Sequence, residues 1–225
     1  MSRLVTRARA ALVAASVALF PLALTAAPAS AAGGCTLNAP ARVSIDKPTV
    51  TLPVSFGSDC QSTMFAGWEA AHPTAGAQTL ALYPDSSTVE VYDFDPRGIW
   101  TWKPQGAYDI NGADAAQNSP TSDVRFATAG YLVIGRVGTT VSAYTRTVRY
   151  SSSTHSFITY APTARAYLQW RSSTGAWANV RTLIPDSSGV YRTSFTAPTA
   201  MYYRIYIPDS LGAATWGSYS TPQYK

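Results

Sequence analysis

From Thr49 to Phe56 apolar and polar side chains alternate without a break: Val50, Leu52, Val54 and Phe56 fall on one side, Thr49, Thr51, Pro53 and Ser55 on the other. A period of two marks a strand with one buried face, and Pro53, which has no amide hydrogen, places that strand at an edge or a bulge. The pattern recurs. Ser87–Asp93 turns Val89 and Val91 inward and Glu90 and Tyr92 outward, Gly98–Lys103 reads as another strand, and Asn111-Gly112 marks a tight turn. Farther on, Arg165–Arg171 places Ala166, Leu168 and Trp170 on one face. Ala176–Ile184 and Val190–Ala197 are strand-like around the turn Asp186–Gly189. Met201–Ile207 turns Tyr203, Ile205 and Ile207 inward, and Thr215–Ser220 closes the series. No window carries a long 3.6-residue period. Short strands with turn signals about every 8–12 residues predict an all-β chain built as a sandwich or a barrel.

The N-terminus predicts a compartment. Arg3, Arg7 and Arg9 precede an Ala/Val/Leu-rich stretch from Ala10 to Ala26, and Ala29-Ser30-Ala31 follows as a small-x-small box. That is the pattern of a secretory signal peptide cut after residue 31. A transmembrane anchor needs about 20 apolar residues. No later run is that long, so no membrane-spanning segment is expected after cleavage. Cleavage leaves 194 of 225 residues, enough for one large or two small domains. It removes three arginines and none of the twelve acids, so the net charge falls from +5 to +2. So small a charge on an exported chain argues against nucleic acid as a partner.

The remaining charge is unevenly spread. Gly33–Gly130 holds five basic residues and ten acids, or −5. Tyr131–Lys225 holds nine basic residues and only Asp186 and Asp209 as acids, or +7. Such asymmetry predicts two units with separate surfaces. The boundary is expected near Ala127–Gly135, after the strand-like Val124-Arg125-Phe126. The expected organisation is a signal peptide (1–31), an acidic β-sandwich (32–130) and a basic β-sandwich (131–225). Each sandwich has about the length of one immunoglobulin-like domain.

In the second half Tyr167-Leu168-Gln169-Trp170-Arg171, Trp177, Ser188-Gly189-Val190-Tyr191 and Tyr202-Tyr203-Arg204 resemble the bacterial immunoglobulin-like modules of secreted actinobacterial proteins. The likeness covers roughly residues 135–220. It implies that Trp170 is the core tryptophan of the third strand and Tyr203 the tyrosine opening the sixth. With no intersheet cysteine pair, Ile205 takes the place of the second cysteine. The first half shares only the strand pattern. The fold expectation is therefore two tandem immunoglobulin-like β-sandwich domains. Such a fold hosts many unrelated activities and by itself assigns none.

The chemistry-bearing residues are few. Cys35 and Cys60 are the only cysteines, and an even count in an exported chain predicts one disulfide. It would close a loop of about 25 residues and contribute roughly 3 kcal/mol on the chain-entropy account. The rival reading, a lipidated Cys35 after Ala32-Gly33-Gly34, lacks a leucine three residues upstream and strands Cys60. His72, before Pro73, and His155, within Ser151–Ser156, read as loop residues. There is no Gly-x-Ser-x-Gly elbow, no His-Glu-x-x-His helix and no phosphate-cradling glycine loop. A Ser-His-Asp triad assembled from distant segments stays open. No catalytic residue and no cofactor is assigned. Glu90, Asp93 and Asp95, with Asp85 nearby, form a candidate calcium set, and Asp109–Asp114 resembles part of a calcium loop. Ordinary turn chemistry accounts for the same residues.

The basic half offers a sharper pattern. An immunoglobulin topology pairs the third and sixth strands in one sheet. Their inward residues then fix the outward ones: Arg165, Tyr167, Gln169 and Arg171 share a face with Tyr202, Arg204 and Tyr206, and Arg146 and Arg149 extend it. Arginine forks bind carboxylate or phosphate, and tyrosine and arginine are enriched at interaction cores. Arg stems lying over Tyr rings on an exposed strand give the same composition without a ligand. The expected function is a secreted, non-enzymatic binding protein that recognises an anionic cell-envelope polymer, a glycan or a protein. Alternatives are a calcium-stabilised structural protein and an extracellular hydrolase. The opposite charges of the halves also allow the two units to dock on each other.

Overall fold

The computed structural model describes residues 33–160 and 165–225. The expected signal segment lies outside them. Nearly all regular structure is strand: β1 (Arg42–Ile45), β2 (Thr49–Pro53), β3 (Thr63–His72), β4 (Gly76–Tyr83), β5 (Thr88–Tyr92), β6 (Gly98–Asp109), β7 (Thr121–Phe126), β8 (Thr128–Val137), β9 (Thr140–Ser151), β10 (Ser156–Thr159), β11 (Ala166–Arg171), β12 (Ala178–Leu183), β13 (Val190–Thr196), β14 (Tyr202–Ile207), β15 (Ser218–Tyr219) and β16 (Gln223–Tyr224). A short 3₁₀ turn at Ser58–Ser62 is the one helical element among the described residues. The chain is all-β, as its period-two pattern predicts. None of its described helical segments is long and apolar enough to cross a membrane.

Two hydrophobic cores form. The first lies under a sheet ordered β1-β7-β6-β3-β4, with β1 and β7 parallel and the other neighbours antiparallel. Beside it are the β2–β5 pair and short pairings of the N-terminal segment. Val50, Leu52, Val54 and Phe56 all pack into this core, and the proline-containing β2 pairs with β5 alone. Trp68, Trp100 and Trp102 are its largest members, each no more than 1% exposed. Burying a ring of about 150–250 Å² at roughly 25 cal/mol/Å² contributes about 4–6 kcal/mol before the entropy of ordering. Each indole N–H keeps a partner: Trp68 donates to Asn118 O (2.9 Å), Trp100 to Pro96 O (2.9 Å) and Trp102 to Ser122 Oγ (3.0 Å). Without those acceptors burial would leave a desolvated donor at a cost of about 1–3 kcal/mol each. Cys35 and Cys60 form a disulfide that ties the two-residue strand Gly34–Cys35 to the 3₁₀ turn.

The second core is enclosed by two sheets. One is β8-β9-β10 with β13 also on β9; the other is β12-β11-β14-β15 with β16 also on β14. Leu132, Ile134, Val141, Ala143, Leu168, Leu183, Tyr203, Ile205 and Ile207 fill the space between them. The inward set of β14 is the one its alternation predicts. Gly130 packs closely under the facing sheet. A Cβ there would sit 3.1 Å from Ile205 Cγ2, so that side chain would have to give by a few tenths of an ångström. Trp170 departs from expectation: it is half-buried and packs at the margin of the core. A bulge between Leu168 and Gln169 interrupts the pairing of β11 with β12, and Gln169 is itself buried.

The two cores are physically joined. β9 contributes Val141 and Ala143 to the second and Tyr150 to the first. Trp216, in the segment after β14, donates its indole N–H to Val43 O at 2.7 Å, and the Arg42 and Arg125 guanidinium groups lie 4.0 and 4.2 Å from its ring centre.

Candidate functional site

β11 and β14 are antiparallel neighbours in the register Tyr167–Tyr206, Gln169–Arg204 and Arg171–Tyr202. Strand alternation sends these six side chains to the side opposite Leu168, Tyr203 and Ile205, which are fully buried. Six of the seven candidate ligand residues thus meet on one sheet face. Arg165 precedes β11 and instead borders a recess with Tyr160, Pro208, Asp209 and Ser210. Arg146 and Arg149 do not extend the face. They lie on β9, in the other sheet of the sandwich.

The face is larger than the sequence pattern implies. β15 pairs Tyr219 with Tyr206, β16 pairs Tyr224 with Tyr202, and Trp177 reaches in from the segment before β12. The result is a continuous series of contacts. The Tyr167 and Tyr206 rings stack at 6.0 Å, and Tyr206 and Tyr219 at 4.8 Å. The Arg204 guanidinium lies 3.9 Å from the Tyr219 ring centre and 4.1 Å from that of Trp177. Arg171 lies 4.9 Å from Trp177 and 5.4 Å from Tyr202, whose ring meets Tyr224 at 4.9 Å. A cation over an aromatic face gains about 0.5–1 kcal/mol at an exposed site. Gln169 sets the orientation: its Oε1 accepts from Arg204 Nε at 2.8 Å, while its amide donates to Asn179 Oδ1 at 2.9 Å. Burial, and secondarily repulsion from Arg171, hold Arg204 below the usual arginine pKa even with Tyr219 acting in the opposite direction. Arg171 Nε is buried and has no hydrogen-bond partner.

No carboxylate faces either guanidinium among the described residues. Both acids of the second half are engaged elsewhere. Asp186 accepts from the amides of Ser188 (2.9 Å) and Val190 (3.0 Å) in its own turn. Asp209 accepts from the Gly217 amide at 2.6 Å and pairs with Arg42 at 3.6 Å.

The Glu90, Asp93 and Asp95 carboxylates of the candidate calcium set have separate partners. Among the described residues no three acidic, histidine or cysteine side chains converge on a metal position. The three carboxylates point different ways. Glu90 accepts from the Tyr92 hydroxyl (2.6 Å), and Asp95 accepts from the Tyr92 amide (2.7 Å). Asp93 is 1% exposed and turns inward, accepting from the Tyr150 hydroxyl at 2.8 Å and pairing with His155 Nδ1 at 2.7 Å. The Asp109–Asp114 run is a turn, in which Asp109 Oδ1 accepts from the amides of Asn111 and Ala113.

His155 lies in the turn between β9 and β10, as expected of a loop residue, whereas His72 does not. His72 ends β3, and its Nε2 lies 3.2 Å from Arg97 O. His155 sits at φ +48°, a left-handed conformation that non-glycine residues seldom adopt, where the turn brings it to Asp93. A buried aspartate on Nδ1 is the orienting half of a catalytic triad. The neighbouring hydroxyls bond among themselves: Ser151 with Ser153, and Ser156 with Thr154.

No known family profile matches the chain, and no curated protein matches it either. Solved structures that match the chain at low similarity include a biofilm-associated protein BSP domain (10% identity, TM-score 0.27, 84% of this chain and 29% of that one). They also include the D0-D1 domain of intimin (10%, 0.28, 84% and 96%) and a DUF3823-family protein from Bacteroides uniformis (10%, 0.30, 86% and 98%). The chain thus spans less than a third of the biofilm-associated protein. TM-scores this low establish neither a shared topology nor a shared role.

Proposed function

We propose that this is an exported, non-enzymatic binding module that holds an anionic polymer of the cell exterior on the face of β11, β14 and β15. In this reading residues 32–130 form the acidic supporting unit, and residues 131–225 carry the recognition face. Export is supported by the signal-peptide pattern and by the disulfide, a bond that persists in oxidising compartments. The observation that carries the reading is the uncompensated pair Arg171 and Arg204, packed against tyrosine and tryptophan rings with no acidic partner. Arginine and large aromatic residues are the side chains that most often dominate interface energetics.

The test is retention on purified bacterial cell-envelope material. The double replacement Arg171→Ala and Arg204→Ala is expected to abolish retention while the melting temperature confirms folding. Unchanged retention by the folded variant refutes the reading.

A further inference from the structure

We infer that the anion this face takes is a carboxylate carried on a saccharide chain. The inference rests on the binding role proposed above and names its ligand class. Three features of the face converge on it.

The first is the accessible part of Arg204. The Arg204 guanidinium carbon lies 4.1 Å from the Trp177 ring centre and 3.9 Å from that of Tyr219, and Nε donates to Gln169. What remains is the Nη edge. A ligand reaching that edge must lie beside both rings, which favours a flat group over a bulky one. A carboxylate is planar and meets an arginine edge with two parallel hydrogen bonds. A tetrahedral phosphate or sulfate presents a third oxygen out of that plane, against the rings.

The second is charge. Arg171 and Arg204 share Trp177 as a packing surface, and the charge of Arg171 disfavours the protonated form of Arg204. Asp186 and Asp209 are committed elsewhere, so relief must come from outside the face.

The third is the flanking surface. Tyr167, Tyr206 and Tyr219 continue on one side of the arginines, and Tyr202 and Tyr224 on the other. Tyr219 and Tyr224 are each 56% exposed. Aromatic rings offer flat apolar surface with a hydroxyl at the rim, which suits the C–H faces and hydroxyls of pyranose units. An acidic saccharide chain would place its carboxylate at the arginines and its neighbouring units on the tyrosines.

The experiment is calorimetric titration of the exported protein (residues 32–225) with oligogalacturonate, with the same oligomer methyl-esterified, and with inorganic polyphosphate. The free acid is expected to bind. Esterification and Arg204→Lys, which keeps the charge and removes the fork, are each expected to weaken binding at least tenfold, with the melting temperature of the variant unchanged within a few degrees. Equal binding of acid and ester, lost in Tyr219→Ala, overturns the carboxylate while leaving the face as the binding surface. Equal binding that survives both Arg204→Lys and Tyr219→Ala overturns the face as well. Preference for polyphosphate, or no binding of oligogalacturonate, overturns the ligand class, and envelope retention then judges the face independently.

Discussion

Replacing Trp216 with alanine should weaken both cores at once. The indole is 9% exposed and belongs by sequence to the second half, yet its N–H donates to Val43 O in β1 of the first. Arg42 and Arg125, also from the first half, lie within 4.2 Å of its ring centre. Around it the chain is stitched by backbone bonds. The Phe126 amide donates to Ala214 O (3.0 Å), and the Trp216 amide donates to Phe126 O (2.9 Å). Truncating a buried tryptophan to alanine costs about 3–5 kcal/mol, which includes the cavity left behind. Val43 O loses its donor, and two cation–ring contacts of about 0.5–1 kcal/mol each go with the ring. These contributions overlap, so the expected loss is about 4–5 kcal/mol, a large share of the roughly 5–15 kcal/mol that stabilises an ordinary domain. Trp216→Phe keeps most of the packing and loses the hydrogen bond, and should cost about 1–2 kcal/mol. The assay is urea unfolding followed by tryptophan fluorescence and by far-ultraviolet circular dichroism. The wild-type protein should give one coincident transition. A loss below about 1 kcal/mol in Trp216→Ala, or two separated wild-type transitions, refutes the claim that this side chain couples the cores.

Asp93 makes stability depend on acid. Burial alone raises its pKa, but the hydrogen bonds from His155 and Tyr150, with the charges of His155 and Arg97, outweigh that and hold it below the ordinary aspartate value. Conversely Tyr150 is pushed up to about 12, first by burial and then by Asp93. A carboxyl with a lowered folded pKa stabilises the protein above its unfolded pKa, and that stabilisation is lost as pH falls through the folded value. Asp93→Asn should therefore cost about 2 kcal/mol at pH 7, and the gap to wild type should narrow below about pH 4. A gap that stays constant from pH 7 to pH 3 in urea unfolding would show that the charge is not the source. Tyr203→Phe should go the other way. Tyr203 is fully buried and its hydroxyl has no partner, so removing that oxygen should be neutral or stabilise by about 1 kcal/mol. A loss above about 1 kcal/mol in the same assay would refute the idea that the hydroxyl is unsatisfied.

What could be read from the sequence follows the reach of local periodicity. β11 and β14 alternate over six residues each, so their outward sets were legible, and an antiparallel register brought them together. Trp177, Tyr219 and Tyr224 complete the same face but come from an irregular segment and two-residue strands, which have no period to read. The Asp93–His155 contact joins residues 62 apart, and nothing local to either predicts it. β9 is the instructive failure. Val141, Ala143, Thr145 and Thr147 are buried, then Val148 and Tyr150 are, so the buried side changes from odd to even positions. A strand serving a single core cannot do this, because successive side chains point to opposite faces. β9 does so because its first half packs on the second core while Tyr150 packs in the first. The same inversion removed any clean alternation around Arg146 and Arg149, and so sent the sequence reading of those two arginines to the wrong sheet. A strand whose buried side switches midway ties two cores through its own backbone. Shearing one core from the other would then break the β9 ladder as well as the Trp216 contact, and that is the structural reason to expect a single unfolding transition.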